Sequence, residues 1–145
     1  MPKLFLTGYE KETIEEFLDK LEKAGITTVI DVREIPLSRK NGFSKTNLEK
    51  SLKERGIDYY HFPELGSPSK IRGELKISGN YLEFFKAYRK HARSKLQAIR
   101  NVFSIIVNKR HSALLCFERD CELWHRTILA SELIKLNPHL QVTPL

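Results

Sequence analysis

Five short clusters in this 145-residue chain combine acids, bases, cations and thiols at spacings that allow chemistry. They are Thr7-Gly8-Tyr9, Asp31-Val32-Arg33, His61-Phe62-Pro63, Cys116-Phe117-Glu118-Arg119 and His125-Arg126. Asp31, His61, Cys116, Glu118 and His125 are the candidates for proton transfer or nucleophilic attack. Thr7, Gly8, Tyr9, Arg33 and Arg126 are the ligand-binding candidates. The forked donors of an arginine suit phosphate or carboxylate. Arg126 gains further at the start of a helix, where backbone amides already favour anions. Each residue also has a plainer reading. Asp31 at a strand end either caps a helix or pairs with Arg33, His61 on an aromatic segment is a packed histidine, and Cys116 after three apolar residues is core. Glu118 in basic surroundings is an ion-pair partner first and a general base second.

Cys116 and Cys121 are too few for a disulfide framework and lack the paired spacing of a structural zinc site, so both read as reduced thiols. No metal-ligand spacing stands out, and no cofactor is indicated. Cys121 to Arg126 does have the cysteine-to-arginine spacing of a rhodanese loop. However, Glu122, Leu123, Trp124 and His125 are bulky where such a loop uses small residues to ring a persulfide with amides. A sulfurtransferase is therefore the third-ranked reading, and a phosphatase fails on the same ground.

For the clusters to meet, the elements between them must bring all five to one place. Lys3–Leu6 is a short apolar strand ending at Thr7-Gly8. Ile14, Phe17, Leu18 and Leu21 recur on one helical face, with a capping box at Thr13 and Glu16 and Gly25 just past the end. Thr27–Val32 is β-branched and nearly continuous, as in a strand buried on both faces. A polar loop through Arg39, Lys40 and Gly42 leads to Ser44, an N-cap for a helix carrying Leu48 and Leu52 and closed by Gly56. Ile57–Phe62 is the third strand, and Pro63, Gly66, Pro68 and Gly73 predict a long loop after it. Tyr81–Lys109 is helical, in two pieces or broken near Ser94; Ser112–Phe117 is the fourth strand. Leu123–Leu136 is the last helix, with Leu129, Leu133 and Leu136 on one side, and Leu140–Thr143 is a fifth strand. This alternation predicts one three-layer α/β domain over residues 1–145, with a mostly parallel sheet of about five strands between helices. In such sheets ligands bind outside the carboxyl ends of the strands. All five clusters fall there.

An apolar share of 41% and a charged share of 30% are those of a globular chain, and no apolar run approaches the length of a membrane span. With no secretory signal pattern, a cytoplasmic location is the default. The net charge of +7 is regional. No acid occurs from Phe84 to Phe117, where Lys86, Arg89, Lys90, Arg93, Lys95, Arg100, Lys109 and Arg110 fall. Such a field favours polyanions or phosphorylated ligands, while a merely solvated helix face is the bland alternative. Two functions compete: an enzyme-like domain holding a phosphorylated or nucleotide-type anion at the sheet edge, and a nucleic-acid-binding module. The module would use Lys86, Arg89, Lys90, Arg93, Lys109 and Arg110, with Tyr81, Tyr88 and His91 stacking on bases if exposed and Phe84 and Phe85 in the core.

Taken in order, the clusters resemble domain of unknown function family 488. The carriers are Leu6-Thr7-Gly8-Tyr9, Asp31-Val32-Arg33 with Pro36-Leu37-Ser38, Phe43, the run from Gly56 through His61 and Pro63 to Gly66, Cys116-Phe117-Glu118 and His125-Arg126. The resemblance spans about Leu6 to Leu133 and implies the α/β fold and these site residues, but no reaction. One departure stands out. Trp124 occupies the position where the family has a cysteine before His-Arg, and Cys121 lies three residues earlier.

Overall fold

The β-branched segments and the amphipathic segments between them fold, in the computed structural model, into a five-stranded, all-parallel sheet covered on both faces. The structure describes residues 2–116 and 125–145; at 125 and 126 it describes the backbone alone. The strands are β1 (Lys3–Gly8), β2 (Thr28–Asp31), β3 (Asp58–His61), β4 (His111–Cys116) and β5 (Gln141–Pro144). The helices are α1 (Ile14–Lys23), α2 (Lys45–Glu54), α3 (Ser69–Ser78), α4 (Tyr81–Arg93), α5 (Leu96–Asn108) and α6 (His125–Leu136).

Strand order is β3-β2-β4-β1-β5. β4 therefore lies between β1 and β2, with Gly8 opposite Cys116 and Leu115 opposite Asp31. Alternate strand residues point to opposite faces. Val29, Ala113 and Leu115 pack with Phe17, Leu18 and Leu21 of α1 and Leu48 and Leu52 of α2. Ile30, Leu114 and Leu6 pack with Tyr88 of α4, Ile99, Val102 and Ile106 of α5, and Leu129 and Leu133 of α6.

The predicted capping box is present at Thr13, with Glu16 N to Thr13 Oγ1 at 3.1 Å and Thr13 N to Glu16 Oε1 at 2.9 Å. The long helical stretch divides where expected, with the Ser94 hydroxyl donating to His91 O and Leu96 opening α5.

Three details correct the sequence reading. The long loop after β3 is instead a 3-10 turn at Pro63–Leu65 followed by α3. Pro68 begins the helix as its N-cap, Gly73 is tolerated inside it, and Gly79, at φ 68°, ends it in the left-handed region. Ser44 holds the N-cap position of α2, but its hydroxyl accepts from Ser38 N and donates to Ser38 O, bracing the preceding loop rather than the helix. Leu136 is 48% exposed and leaves the buried side of α6 to Leu129 and Leu133.

Candidate functional site

β2 ends in the middle of the sheet, so its last residue, Asp31, has no exposed surface. Its charge is met by Arg33, two residues on. Arg33 Nε donates to Asp31 Oδ1 at 2.8 Å, Nη2 to Oδ2 at 2.7 Å, and the Arg33 backbone N–H to Oδ1 at 3.1 Å. Tyr59, on β3, adds a hydroxyl at 2.5 Å from Oδ2. Each carboxylate oxygen thus accepts twice, which fills its lone pairs. Arg33 Nη1 turns the other way and donates to Tyr9 Oη at 3.2 Å and Phe43 O at 2.6 Å. The Tyr9 ring stacks on Phe43, centroids 4.1 Å apart, and the guanidinium carbon lies 5.5 Å from the Tyr9 centroid. Burial alone would favour a neutral Arg33, but the hydrogen bonds and charge of Asp31 raise its pKa above the ordinary value. Burial, then the Asp31 charge, raises that of Tyr59.

Beside this network, His61 Nε2 lies 2.8 Å from Arg33 O. A carbonyl only accepts, so Nε2 carries the proton and, in the neutral ring, Nδ1 is left as the basic nitrogen. The segment carrying Arg33 is fixed from outside as well. A Cβ on Gly66 would lie 2.2 Å from Glu34 N, so only glycine permits this approach. The Glu34 carboxylate meets the start of α3, accepting from Ser69 Oγ at 2.6 Å, Ser69 N at 3.3 Å and Arg72 Nη2 at 3.2 Å.

Across β4 the other face begins. Cys116 shares the pleat direction of Leu114, toward α4, and is 1% exposed. The Tyr88 phenol donates to Leu65 O at 2.6 Å; burial, then Cys116, raises its pKa. Between β2 and β4 the connections part: β2 leads through α2 to β3 on one side, and β4 leads through α6 to β5 on the other. That divergence is the topological switch point at which open α/β sheets bind ligands. It lies at the Asp31–Leu115 pair, and Leu115 faces Thr7 of β1 on its other side. Next to it the Thr7 hydroxyl, on a residue with no exposed surface, has no hydrogen-bond partner among the described residues. α6 starts at His125 and Arg126 with no acid in its first turn.

The parallel sheet therefore carries Thr7, Gly8, Tyr9, Asp31, Arg33, His61 and Cys116 to one edge. It also divides them. Asp31, Arg33, Tyr9 and His61 are joined through one network, whereas Cys116 faces the opposite layer. Glu118, Arg119 and Cys121 lie outside the described residues, as do the side chains of His125 and Arg126.

The cations of the basic stretch separate as well. Lys86, Arg89, Lys90 and Arg93 lie on α4, while Lys109 and Arg110 precede β4 at the opposite edge, Lys109 Nζ 3.1 Å from Asp58 Oδ2. Tyr88 has no exposed surface and His91 Nε2 sits 2.7 Å from Glu64 O, so the expected stacking by Tyr88 is excluded; Phe84 is core, at 3% exposed. Sequence reasoning missed Glu34 and gave no role to Tyr59, Phe43 and Gly66, which lie in the blocks that carry the resemblance. Tyr59 carried a further signal, two residues before His61 and hence on its face.

A five-stranded parallel sheet between two helical layers, with a polar network at its strand ends, makes the chain a three-layer α/β domain. The model of the domain of unknown function DUF488 matches residues 13–133, and the chain belongs to that family. No curated protein matches the chain.

Proposed function

We propose that the protein is an enzyme-like domain that binds a phosphorylated or nucleotide-type anion over the β2–β4 junction. The observation that carries this reading is the switch point itself, with the buried Thr7 hydroxyl beside it and α6 beginning at His125 and Arg126. The anion sits at the start of α6, against its backbone amides and the Arg126 charge. Arg33 has a different part. With four of its N–H donors engaged by Asp31, Tyr9 and Phe43, it holds the strand end in place. Asp31, saturated and buried, keeps Arg33 there. Proton transfer then falls to His61 Nδ1, with Glu118 and His125 as candidates on the β4–α6 segment and Cys116 as the nucleophile candidate facing α4.

Strands lie about 4.8 Å apart, so His61 on β3 is about 10 Å from the end of β4. A nucleotide covers that span; inorganic phosphate does not.

The test is calorimetric titration with nucleoside mono- and diphosphates and with inorganic phosphate, comparing wild type with Arg126→Ala. A charge-assisted hydrogen bond contributes about 1.5–3 kcal/mol, so Arg126→Ala should weaken nucleotide binding roughly 10- to 100-fold. Absence of nucleotide binding, or binding indifferent to Arg126→Ala, would overturn the reading.

A further inference from the structure

We propose that the cationic face shared by α4 and α6 docks the phosphate backbone of a nucleic acid, without regard to base sequence. Lys86, Arg89, Lys90 and Arg93 stand at i, i+3, i+4 and i+7, so they form one stripe along α4. At 1.5 Å per residue the stripe is about 10 Å long. Lys135 of α6 widens it. The two helices are tied by Glu132, 8% exposed, which receives Arg93 Nε at 2.9 Å, Arg89 Nη1 at 3.5 Å and Lys135 Nζ at 2.6 Å. The carboxylate is covered while the cations around it stay in water: the side chains of Lys86, Arg93 and Lys135 are 77%, 55% and 56% exposed. Glu83, 3.9 Å from Lys86, is the second acid. Among the described residues, five cations against two acids leave a surplus of three charges on the face shared by the two helices.

That surplus fits a phosphate polymer better than an acidic helix. A nucleic-acid strand in a duplex offers a phosphate about every 3.4 Å, so a 10 Å stripe faces about three of them. An acidic helix returns to one face only about every 5.4 Å. Arg89 and Arg93 add forked donors matched to phosphate oxygens. The indifference to sequence follows from the contact itself, since phosphate contacts carry no base information. Phe84 and Tyr88 are buried, His91 Nε2 meets Glu64 O, and Tyr81, 40% exposed at the start of α4, would stack on any base. Lys109 and Arg110 belong to the opposite edge and take no part. The surface stands independently of the switch-point site, since none of its residues lies there.

The experiment is fluorescence anisotropy with labelled random-sequence duplex and single-stranded oligonucleotides over a salt series. Wild type is compared with the triple variant Lys86→Ala, Lys90→Ala, Lys135→Ala and with the control Lys109→Ala, Arg110→Ala. Three net charges give a log–log salt slope of about −2.7, an affinity loss of about 40-fold between roughly 50 and 200 mM salt. The triple variant should lose that binding and its salt dependence, and the control should keep both. No binding at the lowest salt overturns the proposal, as does retention of affinity by the triple variant. Polyglutamate competing as well as an oligonucleotide of equal charge rejects nucleic acid as the partner.

Discussion

Arg33 sits two residues beyond the carboxylate it neutralises, and its fork also reaches Tyr9 and Phe43. Removing it leaves Asp31 charged, buried and short of two side-chain donors. Breaking a buried pair in this way costs about 3–5 kcal/mol, a large part of the stability of a typical domain. Arg33→Ala should lower the urea midpoint accordingly. The double replacement Arg33→Met, Asp31→Leu should lower it less, because no uncompensated charge remains. Equal losses in the single and double variants would show that packing, not charge, is at stake. The pairing of Asp31 with Arg33 was among the alternatives readable from their spacing. Its remaining partners were not. Tyr59 and Phe43 reach it through strand pairing and a loop closure that local sequence does not encode.

At the scale of elements, α3 is the weakly held one. It has no buried residue, and a cleft of about 430 Å³ lined by Ile71, Leu75 and Phe84 separates it from α4. It is held by the Glu34 carboxylate at its first turn, by the approach of Gly66 to the Arg33–Glu34 backbone and by Ile71 packed against the core. Amide exchange should therefore be faster in α3 than in α1, α5 or α6, and Glu34→Ala should accelerate it further. Protection in α3 equal to that of α5 would refute this. Helix α1 was legible because its cap, periodicity and apolar face agree, and α2 because Leu48 and Leu52 fall on one face between Ser44 and Gly56; the break at Ser94 lies between two apolar periodic stretches. α3 was not. Its apolar residues find little to pack against, so its sequence carries breakers without a strong amphipathic signal.

For the whole molecule, the two raised phenols set the alkaline limit. Burial, then Asp31, raises the pKa of Tyr59; burial, then Cys116, raises that of Tyr88. Below about pH 10 both are protonated in folded and unfolded chains alike, so neither makes stability depend on pH. Above it the unfolded chain ionises them while the folded chain holds its protons. Stability then falls by up to about 1.4 kcal/mol per pH unit for each phenol. Urea midpoints between about pH 9 and 11 should decline, and Tyr59→Phe should flatten the decline; a constant midpoint would contradict the assignment. The strand order has a consequence for a chain emerging from the ribosome. Among the described residues β1 bonds to β4 and β5, and β2 to β3 and β4, so the two halves of the sheet meet through β4, residues 111–116. Until those residues appear, β1 has no neighbour, and Val29 and Ile30 lie on a two-stranded ribbon. At about 5–20 residues per second, the 55 residues between His61 and Cys116 take roughly 3–11 s to synthesise. For that time the nascent chain carries β1 unpaired and the α4–α5 side of β2 uncovered, which makes it a client for whatever shields exposed strands during translation.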